Sequence, residues 1–297
     1  MRKTRQSRIP CAASEGGFTL LELVLVISIT AIVGGLITSF VKRPLEGYRD
    51  LELRTRLVDV AESSLQRMSR DVRGALPNSL RVSGDGRGLE VLHVADGSRY
   101  RDESGTGHTD ATDWLDFAGD TQFNLLGRFP QLAFTYGVAL AAGHRIAIYT
   151  TSTSIYADAE ADAEPSVITP STTTITISDD TDEDHLTLSS SYDFQFSSPR
   201  QRLYIIDTPV SYVCDLTAET ITRYSSYSIS DPQSTDPNAA PLNGATSALV
   251  TNFVSACDFT YDPGTPTRAA LLTIDLTVSD GGEQVRLFQQ VHVNNTP

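Results

Sequence analysis

The sequence predicts an α+β protein: a long N-terminal α-helix, transmembrane in its first half and amphipathic in its second, packed on a large antiparallel β-rich C-terminal domain. Three observations carry this expectation. Residues 18–41 contain a single charge, Glu22. Residues 45–76 repeat apolar side chains every three or four positions, the period of a helix with one buried face. From residue 80 onward the apolar period falls to two, and Gly, Asp, Asn, Ser and Pro clusters punctuate runs rich in Val, Ile, Thr, Tyr and Phe, the pattern of strands and turns.

The apolar run from Phe18 to Val41 would be ~36 Å long as a helix, enough to cross a hydrocarbon core of ~30 Å with some tilt. Arg2, Lys3, Arg5 and Arg8 precede it, with no acidic residue among the first ten. That imbalance retains the N-terminus in the cytoplasm and sends the C-terminal body outward. An ordinary secretory signal is cut after its apolar core, at small residues. Here the small pair Gly16-Gly17 lies before the apolar run, so cleavage there would keep the membrane segment.

Lys42 and Arg43 form a polar stop. Beyond them Leu57/Val58, Ala61, Leu65, Met68, Val72 and Leu76 supply the apolar stripe, and Arg54, Asp59, Glu62, Arg67, Arg70 and Arg73 fill the other sides. Gly74 and Pro77 end the helix, because glycine weakens it and proline bars its continuation. Strands are expected at 89–94, 114–117, 145–149, 173–177, 192–196, 202–206, 210–214, 221–224, 253–261, 270–278 and 284–293. Asp280-Gly281-Gly282-Glu283 is a hairpin turn, and Gly84-Asp85-Gly86-Arg87-Gly88 is a β-turn, since it precedes a strand and opens no helix. Residues 99–113, 157–166 and 226–247 read as loops, either mobile connectors or surfaces for a partner.

The stretch Gly16-Gly17-Phe18-Thr19-Leu20-Leu21-Glu22, with its basic leader and apolar helix, resembles the class III signal of type IV pilins and pseudopilins. The resemblance implies that a membrane-embedded prepilin peptidase cuts between Gly17 and Phe18 and N-methylates Phe18. It implies domains at 1–17 (leader), 18–41 (membrane and filament-core helix), 42–76 (amphipathic continuation) and 77–297 (β-rich, extracytoplasmic). Glu22 matches the family's glutamate, five residues into the mature chain. In a filament, such a carboxylate would pair with the α-amino group of a neighbouring Phe18; alone, it would snorkel to the headgroups. The chain departs from many major pilins in having Gly34-Gly35, not proline, in mid-segment; its nearest proline is Pro44.

Loss of the leader, with four bases against Glu15, takes the net charge from −14 to −17. So acidic a chain disfavours nucleic acid and anionic headgroups as partners. Cys11 would leave with the leader, and Cys214 and Cys257 remain. On the oxidising side of the membrane that pair predicts a disulfide, the alternative being two buried free thiols.

Catalytic chemistry is not predicted. His93, His108, His144, His185 and His292 show no paired ligand spacing, and no Gly-x-Ser-x-Gly elbow occurs. The acidic run 179–184 lacks the glycine and spaced glutamate of an EF-hand loop, and it reads as a solvated turn, with oxygen ligands for calcium as the alternative. No cofactor and no metal site are expected.

A narrower resemblance rests on Phe196–Arg202, Ile206–Cys214, Cys257–Gly264 and Val285–Val293, taken with the N-terminal signal. These are similar to minor pilins of the mannose-sensitive haemagglutinin (MSHA) type IV pilus. They imply a non-enzymatic subunit that primes or caps the filament at the inner membrane of a Gram-negative bacterium and then enters the pilus. Its partners would be the prepilin peptidase/N-methyltransferase, other minor and major pilins, and an assembly platform with its ATPase. A J-type minor pseudopilin of a type II secretion system and a pilus-tip adhesin are the alternatives.

Overall fold

One helix supplies two different surfaces, and the rest of the fold is arranged on the second. The computed structural model describes residues 17–264, 269–293, 295 and 296. The leader bases Arg2, Lys3, Arg5 and Arg8, together with Cys11, Glu15 and Gly16, lie outside the described residues, as does the side chain of Arg43. Helix α1 runs from Leu20 to Arg73 with Pro44 inside it, a length of ~80 Å at 1.5 Å per residue. Residues up to Glu52 form one unit, and residues from Leu53 form the other.

In the second unit Leu57, Ala61, Leu65, Met68 and Val72 are buried along one face of α1, as the period predicts. The helix ends at Arg73, immediately before Gly74. Leu76 is buried too, in a neighbouring cluster beyond the helix. The stripe packs between two antiparallel sheets. The first contains β1 (Arg81–Val82), β2 (Gly88–Arg99), β4 (Arg145–Ala147), β7 (Arg202–Asp215), β8 (Thr220–Ser225) and β9 (Thr246–Thr251). The second is the meander β10 (Val254–Asp262), β11 (Ala270–Asp280) and β12 (Glu283–Val293). Leu89, Val91, Val210 and Tyr212 cover the stripe from one sheet; Phe259, Leu272, Ile274, Leu276 and Val291 cover it from the other.

Asp71 fastens the end of α1 to the first sheet. Its Oδ2 accepts hydrogen bonds from the Tyr212 hydroxyl and Arg223 Nε, each at 2.7 Å. Burial, and then the Asp71 carboxylate, push the Tyr212 hydroxyl pKa well up. Arg81 closes the opposite face. It donates to buried Glu90 at 2.7 Å and to Asp231 at 2.9 Å, and its guanidinium lies 3.6 Å from the centre of the Tyr156 ring. The Tyr227 hydroxyl gives Glu90 a second bond at 2.9 Å. The expected loop 226–247 is therefore tied to the body at its start, and its end leads through a short 3₁₀ turn (Leu242–Gly244) into β9.

Strand β7 is continuous where the sequence predicts two strands. Pro209, the apparent break, lies between the part of β7 paired with β4 and the part paired with β8, where one strand edge has no ladder to supply. The register with β2 slips at Asp207, leaving that residue without an opposite number. Such a bulge re-aims a side chain, and Asp207 Oδ1 lies 2.8 Å from His93 Nδ1.

A third sheet, β3 (Asp120–Asn124), β6 (Glu183–Tyr192) and β5 (Ile175–Asp180), builds a second core around Phe123, Ile146, Ile177, Leu186, Leu203 and Ile205. Here several expectations are corrected. Residues 114–117 and 193–196 are not in strands, whereas β3, β6 and β9 were not foreseen. The stretch 157–166 opens with part of a short helix, α2 (Ile155–Glu160). The acidic run is a turn, as expected, with Asp179, Thr181 and Asp182 exposed, but its last two residues, Glu183 and Asp184, are buried. Asp184 is fully buried, accepting from the Phe129 N–H and the Tyr136 hydroxyl, each at 2.8 Å. The predicted Gly281-Gly282 turn joins β11 to β12 with both glycines at positive φ, +60° and +94°, as a type I′ turn requires.

Two outcomes follow. Met68→Ala empties a fully buried site and is expected to cost about 2–5 kcal/mol in denaturant unfolding of the detergent-solubilised chain. The second concerns His93 and Asp207. The Asp207 hydrogen bond raises the His93 pKa above its ordinary 6.5. Against the opposing effect of burial, His93 holds the Asp207 pKa below its ordinary 3.8. The pair's contribution is thus complete between 3.8 and 6.5. It is lost as pH rises through the raised imidazole pKa or falls through the lowered carboxyl pKa. The difference in Tm between wild type and His93→Gln should peak near about pH 5 and shrink on both sides.

Candidate functional site

The residues singled out at the N-terminus occupy the start of α1. Gly17, Phe18 and Thr19 precede the helix, and all three are exposed. A Cβ built on Gly17 meets nothing within 4 Å. Phe18 is 79% exposed.

Thr19 caps the helix. Its Oγ1 accepts the Glu22 N–H at 3.2 Å, and its carbonyl accepts the Leu23 N–H at 3.1 Å. Thr19-x-x-Glu22 has the residue types and spacing of a capping box. This signal was legible in the sequence, although the resemblance drew attention to Glu22 alone. Glu22 lies in the first turn, where the unpaired N–H groups carry positive partial charge that favours a carboxylate. An exposed Glu22 in this position has a local structural role beside any role in assembly.

From Leu20 to Val41 the described side chains are exposed around the whole circumference of the helix. Leu21, Leu25, Ile29, Ile32, Leu36 and Ile37 are each more than half exposed. In water so large an apolar surface is unfavourable by roughly 25 cal/mol per Å². Among the described residues, α1 is the one helix long and apolar enough to cross a membrane. Three hydroxyls inside this span are satisfied within it: Ser28 Oγ donates to the Val24 carbonyl at 2.8 Å, Thr38 Oγ1 to the Gly34 carbonyl at 2.8 Å, and Thr30 Oγ1 to the Val26 carbonyl. Such back-bonding spares these donors exposure to an apolar medium. Gly34 and Gly35 meet nothing within 4 Å if given a Cβ, so their cost of roughly 1 kcal/mol each relative to Ala is offset by no contact inside the chain.

Cys214 and Cys257 form the predicted disulfide, 43 residues apart with Cα atoms 6.7 Å apart. It joins β7 to β10 and thus links the two sheets that enclose the α1 stripe.

Elsewhere, a groove of about 470 Å³ is lined by Arg145, Asp207, Thr208 and Tyr227. Arg145 is already committed to the Ala159 carbonyl at 2.8 Å and to Asp162 at 3.4 Å. A second cluster gathers His108, Asp113 and Asp180, whose ligand atoms lie within 4.8 Å of one another. Two of these belong to stretches read from the sequence as a loop, and spacing along the chain gave no sign that they meet.

Compared with known protein families, curated protein sequences and solved structures, the chain matches none of them.

Removal of the disulfide in Cys214→Ser/Cys257→Ser is expected to lower unfolding stability by about 2–4 kcal/mol. Reductant should shift the wild-type denaturation midpoint by a similar amount and leave the double variant unmoved.

Proposed function

We propose that this chain is a membrane-anchored filament subunit of the type IV pilin and pseudopilin class, structural and not enzymatic. Within that class we read it as a minor pilin of the MSHA type, similar to MshO, that primes or caps pilus assembly at the inner membrane.

One observation carries the reading. A helix predominantly apolar over residues 23–41, its described side chains exposed, is preceded, not followed, by an accessible Gly17-Phe18 bond, and continues as the core helix of a β-rich body. An anchor designed only to hold an enzyme at a membrane needs no such placement of the small residues, because its processing site is irrelevant to its span. A subunit whose apolar helix first sits in lipid and then packs among copies of itself needs the helix to survive maturation. Glu22, the one charge in that segment, then meets the α-amino group of an adjacent Phe18, and low dielectric makes the pairing selective for register. Gly34 and Gly35 suit close approach by a neighbouring helix, since small residues let backbones come together in lipid or in a dry bundle.

The prepilin peptidase/N-methyltransferase, other pilins and the assembly platform with its ATPase are the proposed partners. The proposed orientation is N-terminus cytoplasmic and body periplasmic, and the disulfide suits that compartment.

Mass spectrometry of the protein isolated from native membranes tests the reading. The expected mature N-terminus is N-methyl-Phe18, and Glu22→Ala should be processed normally yet fall at least several-fold in sheared pilus fractions. An intact Met1, a cut beyond Val41, or unchanged incorporation of Glu22→Ala would each count against it.

A further inference from the structure

The third sheet brings together a set of donors that resembles a metal shell more closely than an internal ion-pair network. His108 is delivered by a tight turn in which Gly105 and His108 exchange backbone hydrogen bonds at 2.8 and 3.1 Å, with Gly107 at φ +87°. Asp113 is held beside β3 because the Asn124 N–H donates to its carbonyl at 3.0 Å. Asp180 and Glu183 flank the Thr181-Asp182 turn of the β5–β6 hairpin and pair across it. His108, Asp113 and Glu183 are buried, and Asn124 is completely so. The Asp180 side chain is 39% exposed and leaves a way in from solvent.

Asn124 Nδ2 carries two hydrogens and faces three polar atoms: Asp180 Oδ2 at 2.7 Å, His108 Nδ1 at 3.1 Å and Glu183 Oε2 at 3.3 Å. With the His108 proton on Nε2, toward Glu183, Nδ1 is a third acceptor and the inventory does not balance. His108 Nδ1 also lies 3.5 Å from Asp180 Oδ2, and its Nε2 lies 3.6 Å from Glu183 Oε2. The Asp113 carboxylate takes only the Asp110 N–H, at 3.1 Å. Three carboxylates thus surround one neutral amide and one imidazole. Of the neighbouring arginines, Arg101 is engaged by Glu183 through both guanidinium contacts, and Arg128 by Asp179 and the Thr181 carbonyl. Excess acceptors and excess negative charge in a mostly buried cluster call for a cation.

We propose that His108, Asp113 and Asp180 bind a first-row divalent cation such as Zn²⁺, with Asn124 and Glu183 closing the shell. A separation of 3.5 Å between His108 Nδ1 and Asp180 Oδ2 is close to the ligand–ligand edge of about 3.4 Å expected for tetrahedral bonds of ~2.1 Å. An imidazole among carboxylates favours zinc, nickel or manganese over calcium, whose shells are built of oxygen alone. A half-turn of the Asn124 amide brings its oxygen toward the cation and an N–H toward His185 Nδ1, now 2.5 Å from Asn124 Oδ1. The His185 ring then orients a ligand from behind, as outer-shell partners do. Bound metal would staple the 101–119 segment to the β5–β6 hairpin. This inference does not depend on the filament reading.

The test uses the full chain in detergent, stripped with chelator and titrated calorimetrically with ZnCl₂, with Co²⁺ absorption as a spectroscopic check. One site per chain is expected, with a rise in Tm at saturation. His108→Ala and the near-isosteric Asp180→Asn should each weaken binding at least tenfold and abolish the Co²⁺ ligand-field bands, whereas the exposed His292→Ala should not. Absence of saturable binding would overturn the proposal, as would retention of full affinity in folded Asp180→Asn or a site tighter for Ca²⁺ than for Zn²⁺.

Discussion

Everything beyond residue 53 depends on burying one stripe of α1. Leu57, Ala61, Leu65, Met68 and Val72 recur along five turns of helix, and neither sheet alone could cover a helix face that wide. Two sheets do so, each supplying alternate side chains from its inner face. Some twenty residues earlier, the described side chains of the same helix are exposed. A continuous backbone thus passes from a segment whose side chains are exposed on every side to one with a single buried face. The chemistry changes at Lys42 and is set by side chains, because the backbone stays helical on both sides, across Pro44, which has no N–H to give.

Polar groups set the geometry where apolar packing alone would permit sliding. Asp71 takes two donors from neighbouring strands, which fixes the rotation of α1 against the first sheet. Arg81 does a similar job on the other side, sharing Glu90 with Tyr227 while stacking on Tyr156. Burial raises the Glu90 pKa, and Arg81 opposes that rise. A buried pair of this kind contributes little net stability over apolar replacements, yet breaking one partner is costly. Their value lies in specificity of arrangement.

How much of this was legible in the sequence follows from the range of the interactions. The apolar run, the stripe, the helix end before Gly74, the Gly281-Gly282 turn and the cysteine pair each depend on near neighbours or on a count, and all were readable. Strand β7 was divided in two because Pro209 is a strand breaker in general, and only the gap between β4 and β8 makes it harmless here. Strands β3 and β6 were missed because charged and polar residues, Asp120, Gln122, Glu183, Asp184 and His185, occupy positions that a period-two apolar pattern would fill. Asp120 is half-buried through hydrogen bonds to its own neighbours, whereas Gln122, Glu183, Asp184 and His185 bond to segments far along the chain, which no local window contains. The group of His108, Asp113 and Asp180 was hidden for the same reason. The Thr19 cap, by contrast, was in plain view.

The α1 stripe is synthesised well before β10–β12, which cover one side of it. No partial chain can close the core, and contacts between such distant segments form slowly. Until residues 254–293 arrive, five apolar turns of helix remain uncovered on that side. The loss of β11 and β12 would therefore be felt at the far end of the chain, where one side of the α1 stripe would lose most of its cover.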